Sequence, residues 1–205
     1  MTTADRVYGG ASTSDRRERR RAQLIDAALD IWSAQGWAGV SVRASITRAG
    51  LSERYFYESF SNRDELLIAA YDLAATTIFE ATARAVEHST STATADLIHD
   101  MMAAGFQAAA EDPRRTRVVL SDPSGNAALL ERRRHIYTRF EQLIATLVEQ
   151  HMPDGRTGTV LAAAVIFYTG GLAELMRAWV NGEWQVPPDV AIDLGATLLT
   201  SALVN

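Results

Sequence analysis

Apolar residues recur along this chain at three- and four-residue intervals, and no segment sustains a period-two alternation of β-branched residues, so the pattern predicts an all-α protein. Leu24, Ala28, Ile31, Trp32 and Gln35 follow one helical stripe and place a first helix over residues 15–35, which Gly36 stops. Ser41 caps a short second helix over 42–49 that Gly50 ends, and Ser52 opens a third over 53–60. Ser61-Asn62-Arg63-Asp64, a serine followed three residues later by an acid, is a capping signal for a long helix reaching about residue 87. The Ser/Thr-rich stretch 88–94 is a loop, and further helices are expected over 95–111, 113–120, 127–150, 158–181 and 188–204, about nine in all.

Two helices joined by Ala49-Gly50-Leu51-Ser52 have the spacing of a helix-turn-helix: the glycine takes the left-handed turn, Leu51 packs between the helices, and Ser52 starts the second one. Phe56 and Phe60, at i and i+4, face a small core with Val42, Leu24 and Ile31. The opposite face then carries Glu53, Arg54, Tyr55, Tyr57 and Glu58.

The run from Arg20 to Leu67 resembles the DNA-binding domain of the TetR family of transcriptional regulators. The matching residues are Ala27-Ala28, Gly36, Ser41-Val42, Ala49-Gly50-Leu51-Ser52, Phe56-Tyr57, Phe60 and Arg63-Asp64-Glu65-Leu66-Leu67. Two departures stand out. The chain has Ser45-Ile46 where the family usually has Ile-Ala, which either shifts the packing by a residue or places Ser45 partly inside. It has Arg54 and Tyr55 where a small residue and Thr are frequent, so its operator does not follow from its relatives.

The resemblance implies phosphate contacts from Ser41, Tyr57 and Arg63, and base or groove contacts from Arg43, Ser52, Arg54 and Tyr55. Arg54 suits a bidentate contact to guanine O6 and N7, and Tyr55 a thymine methyl or a phosphate. Tyr57 is alternatively a packing aromatic between domains. The Arg-rich run 16–21 is either a backbone-contacting patch or a solvated face.

Charge fits this division once it is split along the chain. The net charge is −5, yet residues 1–60 hold nine Arg against seven acids while the remainder holds eleven Arg against eighteen. The surplus of positive charge lies where DNA contacts are expected. Every basic residue is Arg, which a high-GC, Arg- and Ala-rich composition explains as well as function does.

Residues 1–14 are polar and lack the apolar core of a signal peptide, so they are expected to form a flexible tail, followed by a helix-turn-helix domain over 15–62 and a helical ligand-binding and dimerisation domain over 63–205. The uncharged stretch 157–173 is short of the roughly 20 apolar residues of a membrane span and is interrupted by Gly170-Gly171, so a buried soluble helix and a cytoplasmic protein are expected. With no cysteine there is neither a disulfide framework nor a thiolate site, and His88, His99, His135 and His151 lack metal-ligand spacing; no metal or cofactor is expected.

The helix over 158–181 is apolar on nearly every face and must be covered on both sides. The last helix mixes Val190, Ile192, Leu194, Leu198, Leu199 and Leu203 with the small residues Ala191, Gly195, Ala196 and Ala202. Together they suit the two-fold four-helix interface that the resemblance implies, with Val165, Leu172, Val190, Leu194, Gly195, Leu198 and Ala202 as its contacts.

Phe79, Met101, Met102, Phe106, Tyr137, Phe140, Phe167, Tyr168 and Trp179 are candidates for the wall of a largely apolar ligand cavity, about half of them touching ligand and the rest plain core. Glu174 is the one acid inside an apolar helix, and either faces the ligand or pairs with Arg177 at i, i+3. No GxSxG, P-loop, paired ExxH or cysteine nucleophile supports an enzyme. The reading is a dimeric repressor that binds a palindromic operator and is released by a small apolar inducer, with an activator or a helical module without DNA binding as alternatives. The long helix that begins at Arg63, through Leu66 and Leu67, is the expected coupling between the two functions.

Overall fold

The computed structural model describes residues 13–151 and 158–204, with nine α-helices and no strand among them. The expected tail lies largely outside the described residues, as do the break at 152–156 and the Ala202 side chain. The first helix, α1, is Thr13–Gln35, and the chain leaves it through Gly36 at φ 75° and a 3₁₀ turn, Trp37–Gly39. In α2, Val42–Ala49, the Ser41 hydroxyl accepts from the Ala44 N–H at 3.1 Å and Gly50 closes the C-terminus at φ 65°, a conformation that disfavours any residue with a Cβ. The third helix, α3, is Glu53–Tyr57, shorter than expected because its last turn tightens into Ser59 and Phe60 N–H bonds to the Phe56 carbonyl.

The long helix α4, Arg63–His88, starts one residue later in its capping pattern than the sequence suggests. Asn62 Oδ1 accepts from the Glu65 N–H at 2.9 Å, and Glu65 Oε2 accepts from the Ser61 N–H at 2.7 Å, so Asn62 and not Ser61 caps the helix, and the Glu65 carboxylate reaches back one residue beyond the cap. These bonds hold the Glu65 carboxyl below the usual carboxylate range. The remaining helices are α5, Thr94–Glu111; α6, Pro113–Leu120; α7, Ala127–His151; α8, Gly158–Val180; and α9, Pro188–Val204. Asp112 caps α6 just before its first-turn proline.

Two apolar clusters hold these helices together. The first joins α1, α2, α3, α4, α6 and α7 around Leu24, Trp32, Phe56, Phe60, Leu66, Leu67, Val118 and Leu129, so packing is continuous from the helix-turn-helix into the helices beyond residue 62. The second joins α5, α7, α8 and α9 around Met102, Phe106, Leu147, Val165, Ala196 and Leu199.

The expectation that α8 is a buried helix does not hold within one protomer. Both α4 and α8 are long and apolar enough to cross a membrane, but α4 is lined by core residues whereas α8 leaves Phe167 74% and Ile166 59% exposed. Val160 beside them, and Val190, Leu194 and Leu198 on α9, are exposed as well. Of the residues expected on a dimer face, Val190, Leu194 and Leu198 lie on this open surface. Val165 and Gly195 face inward instead, and Leu172 lines a cavity. A Cβ on Gly195 would overlap the Met102 Cε, so its small size serves α5–α9 packing.

Candidate functional site

Ser45 of α2 is wholly buried, and its hydroxyl has no partner among the described residues. The Ser45-Ile46 departure therefore leaves the register unshifted and places a polar side chain at an apolar position. Leu24, Ile31, Val42 and the Phe56–Phe60 pair, with ring centroids 5.9 Å apart, belong to one apolar cluster that fixes α3 against α1 and α2. Fixing one face of so short a helix determines what the other presents.

That outer face carries Ser52, Arg54, Tyr55 and Tyr57, all exposed, with Arg43 exposed on α2. Ser52 starts α3 without a side-chain capping bond, which leaves its hydroxyl open to an external acceptor. Arg54 is mostly in solvent, and its Nε donates to Glu58 at 3.0 Å. Glu58 also accepts from Arg20 of α1 at 3.1 Å, and the Arg20 guanidinium sits 4.4 Å above the Tyr55 ring. Part of the Arg-rich run is thus joined to the reading helix, which a sequence spacing of 38 residues does not reveal. Tyr57 packs edge-on against Phe56 but stays exposed, so it is not a buried aromatic between domains.

Arg63 has a different setting from the other basic candidates. Its Nε donates to the Val40 carbonyl at 2.5 Å and its Nη2 to the Trp37 carbonyl at 2.8 Å, with the guanidinium over the Trp37 ring. It clamps the α1–α2 connection to the start of α4, adding a charged donor to the Trp37 carbonyl, which already accepts from the Val40 N–H at 3.2 Å, and pairing the Val40 carbonyl.

Behind the reading face, Asp30 of α1 is bound from two sides. Arg48 of α2 donates to it at 2.8 and 2.6 Å, and Arg114 of α6 donates at 2.5 Å while also pairing with Asp26 and Asp112. Burial pushes the Asp30 carboxyl up, but hydrogen bonds from the two guanidiniums outweigh it and hold the group below the ordinary range. Asp112 is held down in the same way, against burial, by Arg114. The Trp32 indole N–H donates to Ser121 Oγ at 3.0 Å at the other end of α6. So α6 is tied at both ends to α1.

The inner side of α6 helps to wall an apolar cavity of about 80 Å³. Val119 and Leu120 of α6, Ile78 and Thr82 of α4, Met101 and Met102 of α5, Ile136, Tyr137, Phe140 and Ile144 of α7, and Thr169, Leu172 and Met176 of α8 surround it. A second cavity of about 190 Å³ between α5, α7, α8 and α9 shares Met102, Ile144 and Leu172 with the first and reaches Phe167 and Tyr168. Burial pushes the Tyr137 phenol up.

Met101, Met102, Tyr137, Phe140, Phe167 and Tyr168 of the sequence candidates therefore meet these cavities. The rest do not. Phe106 is buried edge-on to Trp179, whose indole donates to the Val186 carbonyl. Phe79 packs against Phe140 under the Arg139 guanidinium. Glu174 points outward and binds Arg177, which bridges it to Glu183. Hydrogen bonds from Arg177 hold both carboxyls low. Aromatic and Met content marked part of the wall, whereas Ile78, Val119 and Ile144 look like any core residues in sequence and Thr169 carries no signal of its own.

Residues 24–70 match the family described as bacterial regulatory proteins, tetR family. No curated protein matches the chain in sequence. Among solved structures, the fold is similar to that of a TetR-like transcriptional regulator from Rhodococcus sp. RHA1, at 19% identity and a TM-score of 0.76, covering 93% of this chain and 97% of that one. It is similar to the transcriptional regulator FadR from Bacillus subtilis in complex with stearoyl-CoA, at 17% identity and a TM-score of 0.74, covering 89% and 98% of the two chains. The SmeT–triclosan complex is a further match, at 21% identity and a TM-score of 0.72, covering 91% and 92%. The N-terminal helices of this chain thus match the tetR family of bacterial regulatory proteins over residues 24–70, and the fold of its described residues is similar to that of TetR-like regulators.

Proposed function

We propose that the protein is a cytoplasmic, ligand-responsive transcriptional repressor that binds a palindromic operator as a homodimer and is released by a small, largely apolar inducer. The observation that carries this reading is that α6 is anchored to the reading unit through Asp30 and Trp32 while its other side, with α4, walls an apolar cavity. A ligand that moves α6 or α4 bears directly on α1–α3. Residues 15–62 act as the DNA-reading unit and 63–205 as the ligand-binding and dimerisation unit.

Within the reader, Arg43, Ser52, Arg54 and Tyr55 take base or groove contacts and Ser41 and Tyr57 take phosphates; their exposure supports these roles. Arg63 supports them indirectly by holding the α1–α2 turn. Dimerisation uses the open apolar surface of α8 and α9, where Phe167, Ile166, Val190, Leu194 and Leu198 gain cover that one protomer does not supply. Such a dimer fixes the distance between two α3 helices, and a palindrome demands half-sites about 34–36 Å apart or a multiple. A shift of the reading units releases the DNA.

Stearoyl-CoA and triclosan, carried by two of the structural relatives, are ligands with large apolar parts, in keeping with an apolar cavity here. The test is fluorescence anisotropy of palindromic DNA flanking the gene, titrated with protein and then with apolar small molecules. Sequence-selective binding reversed by a ligand is expected; binding without sequence preference contradicts the proposal, and ligand-enhanced binding makes the protein a co-repressed or activating regulator instead.

A further inference from the structure

Thr169 lies on α8 in the wall of the smaller cavity, 8% exposed, and its Oγ1 is buried with no hydrogen-bond partner among the described residues. A threonine inside a helix ordinarily satisfies its hydroxyl on the carbonyl of the preceding turn; this one does not. An orphaned hydroxyl in an apolar enclosure is destabilising unless something enters to pair with it. The other threonine of the wall, Thr82, already donates to the Phe79 carbonyl at 2.7 Å.

Among the described residues no charged side chain lines this cavity or the second one, so these walls offer no counter-charge to a carboxylate, a phosphate or an ammonium group. An ion there would keep its full desolvation cost. The two cavities, about 80 and 190 Å³, are each smaller than the 300–1,000 Å³ typical of a ligand site, yet they meet at Met102, Ile144 and Leu172. Met102 is the movable part of that partition: unbranched, flexible, and accommodated only because Gly195 has no side chain.

Resting on the ligand-responsive reading above, we infer that the inducer is a neutral, elongated, apolar molecule with one hydrogen-bonding group, which pairs with the Thr169 hydroxyl while the apolar chain passes Met102 into the second cavity. Thr169 is the specificity-determining residue, and Met102 sets the chain length accepted.

The test uses the full-length protein and three eight-carbon probes, octan-1-ol, octanoate at pH 8 and octylammonium, with binding followed by calorimetry and operator release by anisotropy. Octan-1-ol should bind and release operator, the two ions should bind at least tenfold more weakly, and affinity should rise with chain length from butan-1-ol to decan-1-ol. Thr169→Val keeps the side-chain shape and should weaken octan-1-ol about tenfold, with Thr169→Ser restoring most of the loss. Met102→Ala should shift the preferred alcohol to a longer chain, a readout independent of any loss in stability.

Octanoate or octylammonium binding more tightly than octan-1-ol overturns the neutral-ligand assignment and leaves the ligand-responsive reading standing. Equal octan-1-ol affinity in wild type and Thr169→Val overturns the role of Thr169, and a chain-length preference unmoved by Met102→Ala overturns the passage. Octan-1-ol binding that shows the Thr169 and chain-length dependence without releasing operator supports the ligand class and refutes the switch.

Discussion

Replacing Arg114 by Met removes the cation that Asp30, Asp26 and Asp112 share, while keeping most of the side chain's apolar stem. Its consequence separates a structural tie from a transmitting one. The Arg114 side chain is 33% exposed, with Asp30 at 22% and Asp112 at 18%, so these pairs lie between exposed ion pairs, worth about 0.2–1 kcal/mol, and buried ones, whose breakage costs about 3–5 kcal/mol. Arg48 remains to neutralise Asp30. A loss of about 1–2 kcal/mol in unfolding free energy is therefore expected.

The sign of its pH dependence follows from Asp30 and Asp112, both held below the ordinary carboxylate value. Groups with a depressed folded pKa contribute fully above their unfolded pKa and lose that contribution as pH falls through the folded one. The difference between wild type and Arg114→Met should thus be complete at neutral pH and shrink in acid. The functional readout is the factor by which inducer weakens operator binding. If α6 transmits the signal, losing a tie worth about 1 kcal/mol lowers that factor about fivefold, whereas Arg48→Met, which leaves the α6 link intact, changes it little. Equal coupling factors in wild type and Arg114→Met, with stability reduced as expected, would refute α6 as the transmitting element.

Arg54→Ala should cost about 1–3 kcal/mol on the operator and relax preference at one base pair; equal losses on operator and random DNA would remove the base-reading role. Arg63→Ala should lower stability by about 1.5–3 kcal/mol, since two carbonyls lose a charged donor, and leave the salt slope unchanged; a slope flattened by about one with stability intact restores the phosphate contact suggested by the resemblance. Phe167→Glu together with Leu194→Glu should dissociate the dimer in ultracentrifugation without unfolding the protomer, and an unaltered sedimentation coefficient places the interface elsewhere. Ser45→Ala should raise the unfolding free energy by about 1 kcal/mol, because it removes a buried hydroxyl without a partner; a lower value means that the hydroxyl is satisfied in solution.

Most of the fold was legible from local chemistry. Helices α2, α6 and α9 begin and end where the sequence predicts because Ser41, Gly50, Asp112-Pro113 and Pro188 act within one turn of themselves. The reading face was legible too, since Phe56 and Phe60 fix one side of α3 and leave Arg54, Tyr55 and Tyr57 on the other.

Tertiary structure alone decided which side of the C-terminal helices faces in. A helix as uniformly apolar as α8 has no period to indicate its buried face, so nothing in the pattern distinguishes Val165, which is buried, from Ile166 and Phe167, which are exposed. The links that matter for coupling join positions far apart in sequence, Asp30 with Arg114 and Trp32 with Ser121, and no spacing rule connects them. The cavity arises in the same way, where α4 to α8 converge around Thr169. Local propensity and capping thus determined the elements, whereas the arrangement that joins reader to cavity came from long-range packing, which a one-dimensional pattern does not encode.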